Sequence, residues 1–127
     1  MIGRLEHVNF TVENAKATAA MLHDLFGWDI RWEGEVLGGQ GYTVHAGGPD
    51  DYVAIYQPND LQGEGPSSYR IKGGLNHIGV VVDDIDATEI KVRARGYNPE
   101  KFADYEPGQR FYFTEENGIE IEVVSYA

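Results

Sequence analysis

The chain has 127 residues, which is the length of one domain and enough to bury a modest hydrophobic core. With 10 Lys and Arg against 21 Asp and Glu, its formal net charge of −11 would repel a nucleic-acid backbone, and no local basic patch is visible. The absence of cysteine excludes disulfides, thiolate nucleophiles and Cys-based metal sites, so any metal ion must be bound by His, Asp, Glu or Tyr.

The N-terminal segment MIGRLEHVNF carries acidic and polar residues where a secretory signal has an apolar region. No stretch of the sequence approaches the roughly 18 apolar residues of a membrane span. We therefore expect a cytoplasmic protein that has no membrane partner.

The first predicted element is a half-buried strand over residues 5–12, where apolar and polar residues alternate with period two. The apolar face carries Val8, Phe10 and Val12, and the polar face carries His7, Asn9 and Thr11. Asn14 is placed to cap a following amphipathic helix, and Gly27 is placed to end it in a left-handed turn.

Three short strands are predicted after this helix, separated by glycine-rich turns at 38–41 and 47–50. They begin at Trp28–Trp32, Tyr42–His45 and Tyr52–Gln57. We expect the aromatic residues Phe26, Trp28 and Trp32 to pack between the helix and the sheet. Residues 1–57 are therefore predicted to form a βαβββ module.

An internal repeat aligns residues 5–24 with residues 75–94. The identical pairs are Leu5/Leu75, His7/His77, Val12/Val82, Ala17/Ala87 and Thr18/Thr88. Because the same order of elements continues after both copies, the repeat predicts a second βαβββ module over residues 75–127. Residues 58–74 are the expected connector within one domain.

The second module is predicted to begin with a strand over 75–82. A helix follows, with Asp83 as its N-cap, Asp86 three residues later and Gly96 as its stop. The remaining strands are expected near Phe102–Tyr105, Arg110–Thr114 and Ile119–Ser125. Asn117-Gly118 is the strongest hairpin signal in the chain.

Two histidines occupy equivalent positions in the repeat, His7 and His77, and both point away from the apolar face of their predicted strands. In the last strand, alternation places Glu120 and Glu122 on the corresponding face. Two imidazoles and a carboxylate suit Fe(II), Mn(II), Zn(II) or Ni(II), and three protein ligands leave positions open for substrate or water. The residues thus predict a divalent-metal site with Glu120 or Glu122 as the carboxylate.

Three segments of the sequence resemble the vicinal oxygen chelate superfamily, which includes glyoxalase I, extradiol dioxygenases, methylmalonyl-CoA epimerase and the fosfomycin- and bleomycin-resistance proteins. They are LEHVNFTV with the helix ending LFGW, LNHIGVVVDDIDA, and RFYFTEENGIEIEV. The resemblance covers nearly the whole chain and implies an α+β fold, in which two βαβββ modules form curled mixed sheets around a central cleft. It also implies the metal ligands His7, His77 and Glu122, and a homodimer.

The sequence departs from this family in the predicted strand Tyr52–Gln57, where glyoxalase-type members place another ligand. Alternation turns Ala54 or Tyr56 toward the cavity, the best register puts Ala54 at the ligand position, and neither is a carboxylate. This departure argues against authentic glyoxalase I chemistry. The remaining ligand set resembles the 2-His-1-carboxylate triad of non-haem Fe(II) oxygenases.

Further candidates line the expected cavity. Glu122 and Tyr56 are the catalytic candidates, and Tyr56, Arg110 and Tyr112 are candidates for binding a carboxylate or phenolate substrate. Packing and edge charge are the alternative roles of these last three. His45 is expected to have a structural role, and His23 is expected to lie on the surface.

The leading functional hypothesis is a metal-dependent enzyme in which a divalent ion chelates neighbouring oxygens of a small-molecule substrate, for lyase or isomerase chemistry or for extradiol ring cleavage. The alternative is a non-catalytic, drug-sequestering protein of the bleomycin-resistance type, since a net charge of −11 attracts cationic ligands. A weaker third possibility is an interaction module with a vestigial metal site.

Overall fold

Each half of the chain contains the same order of elements: one strand, one helix and three further strands. The structure is a computed structural model that describes residues 1–63, 65, 68–105 and 108–127. It divides into two units, Met1–Gln62 (the first unit) and Gly63–Ala127 (the second unit). Within the described residues each unit has one α-helix and one four-stranded mixed sheet, which confirms the α+β class and the paired βαβββ modules.

Part of the predicted connector, namely Glu64, Pro66 and Ser67, lies outside the described residues. No helix among the described residues is both long and apolar enough to cross a membrane.

The first unit is a sheet with the strand order β1-β4-β3-β2. Its elements are β1 (His7–Thr11), α1 (Ala15–Phe26), β2 (Asp29–Val36), a 3-10 turn (Leu37–Gly39), β3 (Gly41–Gly47) and β4 (Tyr52–Pro58). The pair β1–β4 is parallel, and β2–β3 and β3–β4 are antiparallel. The parallel pair requires a crossover between its strands, and α1 lies within that connection.

The helix α1 begins and ends as its sequence predicts. The Asn14 side chain accepts a hydrogen bond from the Ala17 N–H at 3.0 Å, and Gly27 adopts a left-handed φ of 72° while donating to the His23 carbonyl. The buried face of α1 consists of Ala15, Thr18, Ala19, Met21, Leu22 and Leu25. This face and the buried strand residues Val44, Ala46, Val53 and Ile55 form the core of the first unit.

The second unit repeats this topology with the strand order β5-β8-β7-β6. Its elements are β5 (Ile78–Val81), α2 (Ile85–Ala94), β6 (Glu100–Tyr105), β7 (Gly108–Thr114) and β8 (Glu120–Ser125). The pair β5–β8 is parallel, like β1–β4, and the other two pairs are antiparallel.

The N-cap of α2 is Asp84, so the prediction of Asp83 was wrong by one residue. The Asp84 side chain accepts from the Ala87 N–H at 3.0 Å, and its backbone carbonyl accepts from the Thr88 hydroxyl, also at 3.0 Å. The repeat aligns Asp84 with Asn14, which caps α1 in the same way. The physical reason is that β5 is followed by three non-helical residues before the helical backbone begins at Ile85.

The position predicted for Trp32, between the helix and the sheet, was also wrong. The register of β2 against β3 shifts between Ile30 and Trp32, as in a β-bulge, and Trp32 then pairs with His45. Trp32 is therefore 49% exposed on the face away from α1, and it does not pack against the helix as predicted.

The turn between β7 and β8 is organised by a buried carboxylate. Glu115, only 3% exposed, accepts hydrogen bonds from the backbone N–H groups of Asn117 (2.7 Å) and Ile119 (2.9 Å) and from the Asn117 side-chain amide (2.7 Å). Gly118 has a left-handed φ of 84°, in agreement with the predicted Asn-Gly turn. Burial raises the pKa of Glu115 above its ordinary value.

Candidate metal centre

The open face of each sheet is the face turned away from the buried core. In the first unit, His7 lies opposite Tyr52, Asn9 opposite Ala54, and Thr11 opposite Tyr56. His7, Ala54 and Tyr56 therefore share this face, as alternation predicted. Ala54 is 3% exposed and offers no metal ligand, so the first unit contributes His7 from the predicted ligand set.

His7 is held by two neighbouring side chains. Its Nδ1 lies 2.8 Å from Glu6 Oε1, and its ring stacks on the Tyr52 ring with centroids 4.9 Å apart and planes inclined by 15°. The Tyr52 hydroxyl also donates to Glu6 Oε1 at 3.3 Å. The hydrogen bond with His7 is the main cause of a lowered pKa of Glu6, which keeps this carboxylate ionised.

The stacked pair belongs to an aromatic row that crosses all four strands of the first sheet. The row runs Trp32, His45, Tyr52 and His7, with successive ring centroids 5.3, 4.6 and 4.9 Å apart. The Arg31 guanidinium lies 4.5 Å from the centre of the Tyr52 ring. Burial lowers the pKa of His45, which serves here as a packed ring within the row.

The second unit presents Glu122 on its open face, paired with Gly79 on β5 and Tyr112 on β7. Glu122 Oε2 accepts a short hydrogen bond from the Tyr112 hydroxyl and lies 3.5 Å from Arg110 Nη1. The Arg110 and Glu122 side chains are only 15% and 14% exposed. The hydrogen bond to Glu122 raises the pKa of Tyr112, so its hydroxyl stays protonated.

The other carboxylate oxygen of Glu122, Oε1, faces Gly79. A Cβ atom at position 79 would lie 3.7 Å from this oxygen, which is an ordinary van der Waals contact, so Oε1 lies beside the backbone of Gly79. Oε2 is thus held in place by two donors, and Oε1 is the oxygen that remains to bind a ligand.

His77 lies directly before β5 and contacts the same tyrosine. Its Nδ1 is 2.7 Å from Asn76 Oδ1, and its ring meets the Tyr112 ring edge-on, with centroids 5.6 Å apart and planes at 87°. Tyr112 therefore touches two of the three predicted ligands. The second unit brings together four of the predicted site residues, His77, Glu122, Arg110 and Tyr112.

Glu120 has a separate set of partners on the same face. Its Oε1 accepts from the Tyr69 hydroxyl at 2.6 Å and from Lys101 Nζ at 3.2 Å. Lys101 also lies over the Tyr69 and Tyr112 rings. Of the two candidate carboxylates, Glu122 is the one that shares Tyr112 with His77.

Tyr56 lies well away from His7. It is four residues further along β4 than Tyr52, a separation of about 13 Å at the rise of a β-strand. Its ring packs against Gly41, where a Cβ atom would come within 2.5 Å of Tyr56 Cε1. Tyr52 is the tyrosine beside His7, and it was missed although alternation places it on the same face as Tyr56.

The donor atoms fit a divalent transition metal. Imidazole nitrogens and one carboxylate oxygen form the mixed N and O set that Fe(II), Mn(II), Zn(II) and Ni(II) accept. Across the described ranges, no three His, Asp or Glu side chains are grouped closely enough to be a metal site by themselves. The fit therefore rests on how each unit presents its own donors.

Comparison with known families identifies the fold. A family model described as the Glyoxalase/Bleomycin resistance protein/Dioxygenase superfamily matches residues 4–123. The chain belongs to this superfamily, which confirms the resemblance drawn from the repeat and the closing strand pair. No curated protein sequence gives a significant match.

Solved structures with the same fold include a glyoxylase/bleomycin resistance protein/dioxygenase domain from Frankia sp. EAN1pec, with a TM-score of 0.83, 16% identity and coverage of 98% of this chain and 93% of that one. The fosfomycin resistance protein FosX from Mesorhizobium loti has a TM-score of 0.72 at 23% identity, covering 98% and 92%. FosX from Listeria monocytogenes has a TM-score of 0.72 at 17% identity, covering 98% and 94%. At these identities the likeness concerns the fold alone.

Proposed function

We propose that this protein is a metal-dependent enzyme in which His7, His77 and Glu122 bind one divalent ion that chelates neighbouring oxygens of a small-molecule substrate. The ligands come from one chain or from two copies of it. The reaction is of the lyase or isomerase type or is an extradiol ring cleavage.

One observation carries this proposal: Tyr112 contacts the His77 ring and hydrogen-bonds to Glu122 Oε2. A carboxylate on a strand is ordinarily solvated, whereas Glu122 Oε2 is held by an arginine and a tyrosine that are both partly buried. The arrangement places both donors on Oε2 and leaves Oε1, beside Gly79, for a further partner. Membership of the superfamily supports the choice of a metal ion as that partner.

A bound divalent ion would supply Lewis-acid polarisation and a template for two substrate oxygens. Arg110 balances the charge of Glu122, and Tyr112 keeps its proton because its pKa is raised. Substrate oxygens would find a further donor in Arg110, because the single O–H of Tyr112 is donated to Glu122. The side chain of Ala54 leaves one more coordination position open than a carboxylate there would, which favours a substrate that binds through two atoms.

The first experiment measures metal content by mass spectrometry after loading with Fe(II), Mn(II), Zn(II) or Ni(II). Wild type is expected to retain near-stoichiometric metal, and His7→Ala, His77→Ala and Glu122→Ala are expected to lose it. Glu120→Gln is the matched control, because Glu120 is on the same strand face but is held by Lys101 and Tyr69. Metal retained by Glu122→Ala would contradict the proposal.

The reaction type is decided by activity of the loaded protein. Oxygen uptake with a panel of catechols after anaerobic Fe(II) loading would assign ring cleavage. Turnover of hemithioacetal or epoxide substrates without oxygen consumption would assign the lyase or isomerase class. No turnover in either panel would remove the catalytic part of the proposal.

A second candidate function is sequestration of a flat or cationic small molecule without catalysis. It is favoured by the aromatic row Trp32–His45–Tyr52–His7, since a row of rings that ends in the half-exposed Trp32 on an acidic protein attracts such ligands. The variant His77→Ala separates the two functions, because His77 is a proposed metal ligand that lies outside the aromatic row. Unchanged ligand affinity in metal-free His77→Ala protein would favour sequestration.

We further propose that the protein is a homodimer. Light scattering measures the mass directly, and mixing His7→Ala with His77→Ala protein tests how the site is built. If the ligands come from two chains, the mixture regains metal binding that neither variant has alone. If they come from one chain, mixing restores nothing.

A further inference from the structure

The residue before each candidate histidine ligand contacts that histidine through its side chain. His7 Nδ1 lies 2.8 Å from Glu6 Oε1, and His77 Nδ1 lies 2.7 Å from Asn76 Oδ1. The two contacts occur at equivalent positions of the internal repeat. They use different chemistry, a carboxylate in the first unit and an amide in the second, for the same acceptor role.

Such a contact between sequence neighbours is unusual on a strand, because consecutive side chains point to opposite faces. The contact is possible here because the hydrogen-bonded strand pairing begins only at or after each histidine. The strand β1 starts at His7 and β5 starts at Ile78, so Glu6 and Asn76 both precede the regular pleat. Their side chains can therefore turn back to the ring that follows.

The acceptor chemistry fixes where the ring proton sits. A carboxylate oxygen accepts hydrogen bonds, and Glu6 Oε1 lies 2.8 Å from Nδ1 of His7, so Nδ1 is the donor. The carbonyl oxygen of the Asn76 amide likewise only accepts. In a neutral imidazole with hydrogen on Nδ1, the lone pair is on Nε2.

We propose that Glu6 and Asn76 are positioning residues, which hold His7 and His77 in the tautomer that offers Nε2 to a metal ion. This inference rests on the proposed function for its metal, but the tautomer is a property of the metal-free protein. Carboxylates and carbonyls that orient metal-binding imidazoles in this way raise metal affinity by about 10–100-fold.

A tyrosine completes each arrangement. Tyr52 stacks on His7 and donates to Glu6, whereas Tyr112 meets the edge of His77 and donates to Glu122. Each imidazole is thus fixed at Nδ1 by the preceding residue and at its ring by an aromatic side chain from the sheet. Rotation about the histidine side-chain torsions would break both contacts at once.

The direct test is the tautomer of each ring, read from imidazole ¹⁵N shifts in long-range ¹H–¹⁵N spectra of the metal-free protein. The spectra are recorded at about pH 8, above the ordinary pKa of histidine. Wild type is expected to show His7 and His77 with hydrogen on Nδ1. Glu6→Ala is expected to move only His7 toward hydrogen on Nε2, and Asn76→Ala only His77.

Conservative variants and an internal control sharpen this test. Glu6→Gln keeps an acceptor oxygen and is expected to restore the His7 tautomer, as Asn76 already does with an amide. His23 serves as the control, because its Nδ1 lies 3.1 Å from the Trp28 carbonyl and neither substitution touches it. Tautomers of His7 and His77 that are unchanged in the alanine variants would overturn the inference.

Zn(II) titration against a competing chelator supplies the second measurement. Glu6→Ala and Asn76→Ala are expected to bind Zn(II) about 10–100-fold more weakly than wild type, with Glu6→Gln close to wild type. Shifted tautomers with unchanged Zn(II) affinity would also overturn the positioning role. If wild type bound no Zn(II) although its tautomers were as expected, the proposed function would fail, and that result differs from both others.

Discussion

The first and second units share one strand order and one register, yet their open faces carry different side chains. At equivalent places in the parallel pairs, Ala54 lies opposite Asn9 in the first unit and Glu122 lies opposite Gly79 in the second. The first unit therefore fills this position with a small apolar residue, and the second places a carboxylate there. This exchange does not change the hydrogen-bonded register of the strands, because the register is set by the buried face.

The helices differ as well. The helix α1 buries an apolar stripe, whereas Thr88 and Val92 are the buried residues of α2. A cavity of about 350 Å³ lies beside α2, and its lining includes Ile85, Phe102 and Phe111. The first unit therefore has the more extensively buried helix. The second unit has a helix with fewer buried residues and carries the polar cluster around Glu122.

The largest expected effect comes from the helix cores. Leu22→Ala is expected to lower the free energy of unfolding by about 3 kcal/mol, because Leu22 is buried between α1 and its sheet. Val92→Ala removes fewer buried atoms than Leu22→Ala and is expected to lower it by about 2 kcal/mol. Urea denaturation measures both, and a larger loss for Val92→Ala would break the comparison of the two helices.

The next effect concerns the turn that only the second unit holds with a buried acid. Glu115→Ala is expected to lower the free energy of unfolding by about 2 kcal/mol, because backbone N–H groups of Asn117 and Ile119 lose their acceptor. Chemical denaturation near neutral pH measures this loss. A change below about 0.5 kcal/mol would show that the turn is held by its glycine conformation alone.

The same residue predicts a pH dependence. Because the folded pKa of Glu115 lies above its ordinary value of 4.5, the folded state binds this proton more tightly than the unfolded state. The contribution of Glu115 to stability therefore falls as pH rises from 4.5 through the raised pKa. Relative to Glu115→Gln, which does not titrate, wild type is expected to lose stability over that range in denaturation curves. A constant difference would contradict the sign.

The helix caps are expected to behave alike in both units. Asn14→Ala and Asp84→Ala should each lower the free energy of unfolding by about 1 kcal/mol, since each removes one acceptor from a first-turn N–H. Asp83→Ala is the control, expected to change it little. Thermal denaturation of the three variants checks this, and a larger effect at Asp83 would restore the original prediction.

The smallest expected effect on stability comes from an exposed ion pair on α2. Arg93 Nε lies 2.9 Å from Glu89 Oε2 across one helical turn. Such a pair contributes about 0.3 kcal/mol and is screened by salt. Glu89→Gln is therefore expected to shift the denaturation midpoint slightly at low salt and not at high salt. A large shift would mean that α2 depends on surface charge more than on its core.

The repeat predicted two βαβββ modules, because two copies of one pattern constrain each other, and the family resemblance supplied the curled sheets. The repeat paired His7 with His77 and aligned the first residues of both helices, whereas the correspondence of Ala54 and Glu122 emerges from the sheet registers. The Asp84 cap was also contained in the alignment with Asn14, although local capping rules pointed to Asp83. Where a local rule and the repeat disagreed, the repeat was right.

The features that the sequence did not predict depend on departures from ideal strand alternation. A strand predicted from residue 5 puts the Glu6 and His7 side chains on opposite faces, but the ladder begins at His7 and lets them meet. The irregularity between Ile30 and Trp32 likewise turned Trp32 to the open face. Both departures arise from backbone pairing with other strands, which periodicity within one segment does not encode.

The sparse burial of α2 also has a consequence for motion. Segments with few buried apolar contacts open locally at low free energy, so the amide hydrogens of α2 should exchange with solvent before those of α1. Phe111 lines the cavity beside α2, whereas its neighbour Tyr112 faces the opposite side of β7 and holds Glu122. Local opening of α2 on one side of the sheet therefore does not require the polar cluster on the other side to move.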